Sequence, residues 1–442
     1  MVSSTPVASV KRRAVFWYTL WLIALRALGL QHSETERQHL LHVRPASIAQ
    51  AEILNGLRRN DAVEVDFLKP YVKVGSSVRI LVTEKSIPLV ATILNSSGIE
   101  FADKTDELVK FLDHQANMVK NHEPINYQNS SDFFSFQTYH TLDEIYGFLK
   151  RVHRQFPNIT ELVKIGTSYE GRDMLAIRVG SDRSNKIIWV DAGMHAREWI
   201  GPATAVFLIN ELTESYGRKP VTTQLVNKFN FYILPVLNPD GYDYSWTTNR
   251  LWRKSRSKCD CTFDACCFGV DLNRNFPFAY EANLNPCRSD YAGPRYLSEP
   301  ETMAMDRFFT QNHGRVALYL TLHAYGQFLE MPYGMESSEP VNLPKLMHIG
   351  RNFIEGAALY GQRYYLISTY NHVPIAGQAI DWAMFTKEVP FAFSLLQRPY
   401  EDDDSGFLLA KEQILPASME VCEGLIAMAE KLEHYENSTS VE

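Results

Sequence analysis

The residues best suited to chemistry are His195 and Glu198, spaced as His-x-x-Glu in HAREWI, and a second histidine, His323, at the end of ALYLTLH. Two imidazoles and one carboxylate leave a fourth tetrahedral position open to water, which is the donor set of a catalytic zinc. An ion so held polarises a carbonyl and lowers the pKa of its water to about 7. Both histidines follow apolar strand candidates, KIIWVDAGM and ALYLTL. In parallel sheets, ligands collect at such carboxyl ends. The bland alternative is a surface turn with an ordinary ion pair, because His-x-x-Glu is common by chance.

Two further clusters stand out. Asn249 to Lys258 (NRLWRKSRSK) is basic and reads either as a solvated loop or as an anion patch. Gly269 to Asn275 (GVDLNRN) carries Asn273 and Arg274. A peptidase that works only at chain ends needs a fixed cation for the terminal carboxylate. Arginine suits that task because its planar fork binds carboxylate bidentately.

Elements must position these groups. From about residue 137 strands and helices alternate. Thr141 to Glu144 forms a capping box opening a helix to Phe156. Strands are expected at 186–193, 317–325 and 389–396, and one from 230 runs into an Asn-Pro-Asp-Gly turn. Helices are expected at 201–217, 300–313, 343–361 and 418–435. Continuous apolar strands between amphipathic helices predict an α/β fold whose mostly parallel sheet is covered on both faces. Residues 40–112 read as a separate small α/β unit, with helices at 45–60 and 106–119 and a strand at 78–82. Polar residues up to 136 read as a linker.

The chain has 442 residues, 45% hydrophobic and 21% charged, with a net charge of −7. That balance excludes a general nucleic-acid binder and a disordered chain. Lys11, Arg12 and Arg13 precede the apolar run Ala14 to Leu25, and Ala27-Leu28-Gly29 offers a small-residue cut, the pattern of a secretory signal peptide. Arg26 ends that run short of the roughly 20 residues a spanning helix needs. No other stretch would insert stably in a membrane. Six cysteines, at 259, 261, 266, 267, 287 and 422, fit disulfides in an oxidising compartment. Sequons begin at Asn95, Asn129, Asn158 and Asn437.

The stretch from Thr138 to about 435 resembles the zinc metallocarboxypeptidases of the pancreatic carboxypeptidase A/B type. The matching segments are TYHTLDEIY, SYEGRDM, DAGMHAREWI, LNPDGYDYSWTTNRLWRKSRS, GVDLNRNF, NPCRSDYAGP, LHAYGQ and IDW. The resemblance implies a mixed eight-stranded sheet and a secreted, monomeric proenzyme acting on peptide or protein C-termini. It implies one Zn2+ held by His195, Glu198 and His323, and Arg253 as oxyanion stabiliser. Arg197, Arg250 and Tyr325 would meet substrate, Asn273 and Arg274 would grip its carboxylate, and Cys267 would pair with Cys287. The segments are then a signal peptide (1–29), an inhibitory prodomain (40–112), a linker (113–136), the zinc domain (137–435) and a tail (436–442). An activating protease would separate prodomain from enzyme, with Lys120 a candidate cut site.

Two positions depart from the family. Its general base is a glutamate within F-E-L-R-D. An ungapped count from Ile380-Asp381-Trp382 puts that position at Leu395, and aligning the aromatic residues moves it to Ser394. Neither accepts a proton from water at neutral pH, and general-base catalysis contributes about 10²–10⁴-fold. The acids considered as replacements are Glu388 and the run Glu401 to Asp404. The family's mobile tyrosine falls at Val373, three residues after Tyr370. Ile380 stands at the specificity position and implies apolar or aromatic C-terminal residues. The expectations are therefore an active carboxypeptidase or a relative that only binds zinc and peptide C-termini.

Overall fold

The computed structural model describes residues 38–439 apart from 70, 71, 73, 124, 126–133, 260–266, 284, 335–341, 369–374, 402 and 404, and from 433 on it describes backbone alone. The signal-peptide segment, Tyr370, Val373, Cys261 and Cys266 lie outside the described residues.

The first unit is a four-stranded antiparallel sheet of β1 (Gln38–Val43), β2 (Val65–Phe67), β3 (Val78–Thr83) and β4 (Phe101–Asp103), in the order β2-β3-β1-β4. Strand alternation divides its side chains between two cores. Val78, Ile80 and Val82 meet Leu54, Leu57, Val90 and Leu94 from helices Ile48–Arg58 and Ile87–Ser96. Leu40 and Leu81 point the other way and join the large core of the main unit. The helix Thr105–Lys120 runs past the expected 112 boundary, because its apolar spacing continues, and Lys120 is its exposed last residue.

The main unit carries an eight-stranded mixed sheet. Its strands are β5 (Thr160–Thr167), β6 (Asp173–Val179), β7 (Lys186–Ala192), β8 (Phe229–Leu234), β9 (Val316–Gly326), β10 (Phe328–Met331), β11 (Tyr365–Ser368) and β12 (Phe391–Tyr400), in the order β11-β10-β12-β9-β7-β8-β6-β5. Neighbours β12, β9, β7 and β8 run parallel, and every residue of β9 is buried. Both faces are covered. Trp189 packs on Phe308 and Phe309 of helix Pro300–Gln311. On the opposite face Gln397 accepts a bond from Thr204 of helix Ile200–Ser215 at 2.6 Å. The capping box is present at Thr141 and Glu144.

One local reading is corrected. Asn238-Pro-Asp-Gly opens the helix Pro239–Thr247, with Asn238 Oδ1 accepting from the Gly241 amide at 2.9 Å. Asn as N-cap with Pro at the first helical position is also a helix start.

Candidate metal centre and chain-end pocket

His195 and Glu198 lie in the loop after β7, and His323 near the end of β9, its parallel neighbour. Parallel pairing brings both carboxyl ends to one edge. His195 Nδ1 is 2.9 Å from Glu198 Oε1, His323 Nδ1 is 2.9 Å from Oε2, and the two Nδ1 atoms are 3.2 Å apart. All three donors are buried and lie within 4.8 Å of one another.

The far ring nitrogens are oriented by other groups, as metal-binding histidines require. His195 Nε2 is 3.1 Å from Asp271 Oδ1. His323 Nε2 is 3.2 Å from Thr321 Oγ1, which donates to Asp191 at 2.7 Å. Burial opposes ionisation of Glu198, yet the two imidazoles hold its carboxyl well below the usual range. Asp271 is likewise held down, against its burial, by Arg253 and Arg274. The donor set and its outer partners fit a divalent metal.

Cations surround this cluster. Arg253 donates to Asp271 Oδ2 through Nε (3.1 Å) and Nη2 (2.9 Å), and its Nη1 is 3.9 Å from Glu198 Oε1. Asn273 and Arg274 follow Asp271 in a short helical turn, with Asn273 Oδ1 accepting from the Ala379 amide at 2.9 Å. Gly377 has φ +65, and a Cβ there would lie 2.1 Å from the Arg274 carbonyl oxygen. Only glycine lets these two loops close together.

One cavity of about 110 Å³ is lined by His195, Arg197, Glu198, Arg253, Asn273, Arg274 and His323. Arg250, Tyr325 and Ile380 are not on its wall. Arg250 is stacked 3.8 Å from the Trp199 ring centroid and bonds the carbonyls of Arg197 and Phe407. Tyr325 accepts from Arg79 at 2.8 Å, and Ile380 is core. Two first-unit residues, Arg58 and Asp66, also line the cavity, and Asp66 pairs with Arg197.

The strand alternation of β12 turns Ser394 and Leu395 to opposite faces of the sheet. Ser394 and Leu396 line the cavity. Leu395 is fully buried in the core, on the face shared with Gln397. Ser394 Oγ donates to Glu330 Oε2 at 2.9 Å, and Glu330 lines the same cavity. Sequence reading missed Glu330, because its strand FLEM is only four residues long and carries no period of its own. Asp271, Asp191 and Asp66 were missed too. Among the acids considered earlier, Glu388 is exposed and 3.5 Å from His313, while the Asp403 carbonyl accepts from Arg79 at 2.7 Å. Asp402 and Asp404 lie outside the described residues.

Among the described residues, Cys267 and Cys287 form a disulfide and no helix is long and apolar enough to cross a membrane. Residues 145–424 match the model of the zinc carboxypeptidase family, and 41–115 that of the carboxypeptidase activation peptide. The chain belongs to the zinc carboxypeptidase family. It is 33% identical to rat carboxypeptidase A2 over 419 residues, covering 93% of this chain and 98% of that one. It is 32% identical to Drosophila melanogaster zinc carboxypeptidase A 1 over 432 residues, covering 94% and 97%. The solved structure of thrombin-activatable fibrinolysis inhibitor superposes with a TM-score of 0.74 at 27% identity, covering 90% and 99%. That of Helicoverpa armigera carboxypeptidase A gives 0.80 at 24% identity, covering 91% and 98%, a likeness of fold. A zinc carboxypeptidase uses one Zn2+, and the His195–Glu198–His323 group is where this one can hold it.

Proposed function

We propose that this zinc carboxypeptidase is a secreted proenzyme whose mature domain removes apolar or aromatic residues from peptide C-termini. The observation that carries this reading is the convergence, in one cavity, of three metal donors with Arg253, Asn273 and Arg274. Arg274 and the Asn273 amide hold the terminal carboxylate, so the last peptide bond is presented to the metal. A bound zinc supplies an activated water and a polarised carbonyl. Arg253, fixed by Asp271, places positive charge where the carbonyl oxygen becomes negative. Ile375, Leu396 and Phe407 give the cavity apolar wall for the last side chain. The activation peptide closes the cavity through Asp66 and Arg58, and cleavage after Lys120 would release it.

A second reading is favoured by one observation. Ser394, one of the two residues that align with the family's general base, stands on the cavity wall and does not ionise. A chain without any base would bind zinc and peptide ends and cleave nothing.

The test is to process the protein, load zinc, and follow release of Phe or Leu from peptide ends, with His195→Ala as control. Release by wild type and none by His195→Ala supports the enzyme. Stoichiometric zinc and peptide binding without release supports the binding protein.

A further inference from the structure

Hydrolysis by a metal-held water needs a group to accept that water's proton. Ser394 does not ionise, so the acids on the cavity wall must be considered in turn. Glu198 is placed between the two imidazoles as a metal donor. Asp66 belongs to the activation peptide and leaves with it. Asp290 is chelated by Arg288 through Nε (2.8 Å) and Nη2 (2.9 Å). Among the described residues, the remaining carboxylate on the wall is Glu330, 5% exposed, on β10.

Its position is informative. β10 pairs antiparallel with β12, and Glu330 is the cross-strand partner of Ser394. Ser394 in turn pairs with Thr321 of β9, so the three share a row across the sheet, with His323 two residues beyond Thr321 on the same face. Glu330 is thus two strands across from His323 and two residues along, about 12 Å away at the backbone. The two side chains and one water can close that span. The serine hydroxyl donates to Glu330 Oε2 and so fixes that carboxylate beside β12, on the wall of the cavity that holds the metal donors.

We infer that Glu330 is the general base of this carboxypeptidase, relocated from β12 to the adjoining strand and oriented by Ser394. This rests on the proposed peptidase reading. The attacking water loses a proton to the Glu330 carboxylate, directly or through one ordered water, as its oxygen bonds to the peptide carbonyl carbon. The same proton then passes to the amide nitrogen as the C–N bond breaks. The products are a shortened chain with a new carboxylate and one free amino acid. No oxidant or further reactant is needed.

The experiment compares processed, zinc-loaded wild type, Glu330→Gln, Ser394→Ala and the double variant Glu330→Leu with Ser394→Glu. Each is assayed for kcat on a peptide ending in Phe, for zinc per chain, and for calorimetric affinity toward a peptide ending in D-Phe. Glu330→Gln is expected to lose about 10²–10⁴-fold in kcat while zinc content and D-Phe affinity stay near wild type. Ser394→Ala should lose less. The double variant, which moves the carboxylate back one strand, should recover at least tenfold over Glu330→Gln and also guards against simple misfolding. The role is overturned if Glu330→Gln keeps wild-type kcat, or if its only effect is a new preference for the last residue. Wild type that binds zinc and the D-Phe peptide but releases nothing, while the double variant gains release, overturns both the peptidase reading and the base. An active wild type with an equally active Glu330→Gln leaves the peptidase standing and removes only the base.

Discussion

Asp66 of the activation peptide lies against both terminal nitrogens of Arg197, one residue before Glu198 in the metal-site loop. Arg197 is 1% exposed and its guanidinium also stacks 4.3 Å from the Phe407 ring centroid. A second strap runs from Arg79 to the Tyr325 hydroxyl and the Asp403 carbonyl. The first ties the activation peptide to the cavity wall, and the second to Tyr325 and Asp403 outside it. Asp66→Ala is therefore expected to raise the uncleaved proenzyme's peptidase rate about tenfold, equivalent to about 1.4 kcal/mol of lost closure. The ratio of rates before and after processing reports this, and an unchanged ratio would show the pair has no part in latency.

The outer partner of His195 gives a separate test. Asp271 orients the imidazole and also holds Arg253. Asp271→Asn keeps the volume but loses the charge, and zinc affinity is expected to fall roughly 10–100-fold. Competition with a chromophoric chelator measures it. Affinity equal to wild type would mean the His195–Asp271 contact does not tune the metal.

Arg274 is expected to read the free carboxylate. Arg274→Ala should weaken binding of peptides ending in a free acid by about 10–100-fold, the usual worth of a hydrogen bond to a charged group. Peptides ending in a carboxamide should bind wild type and variant alike. Equal losses for acid and amide would assign Arg274 to holding up the Asn273 turn instead.

Glu301 makes stability depend on pH. It starts the helix Pro300–Gln311, is fully buried, and its Oε1 accepts from the Tyr169 amide at 3.0 Å, while Oε2 has no partner. Burial, with Glu299 nearby, pushes its carboxyl up from 4.5 to about 8. The fold thus prefers the protonated acid. Its contribution is complete below the unfolded value of 4.5 and is lost as pH rises through about 8. A tenfold change in an ionisation equilibrium corresponds to about 1.4 kcal/mol. Glu301→Gln cannot ionise, so its melting temperature should fall less than that of wild type between pH 5 and pH 8.5 in scanning calorimetry. Parallel curves would refute the buried neutral acid.

Elements whose signals are local could be read directly from the residues. The capping box at Thr141, the apolar strands before His195 and His323, and the motifs carrying Asn273 and Arg274 are each written in a few consecutive residues. The strands at 160–167, 173–179, 328–331 and 365–368 were not legible. β10 and β11 are only four residues each, and partly polar strands lack a continuous apolar run. Which of Ser394 and Leu395 meets the cavity came from the folded sheet. A one-residue slip reverses every side chain of a strand, and partner strands set that register. Glu330 and Ser394 stand 64 residues apart and become neighbours through the β10–β12 ladder alone. The metal donors could be read from types and spacing because strand ends are where ligands gather. The carboxylate that serves them is placed by cross-strand pairing, which no local pattern encodes.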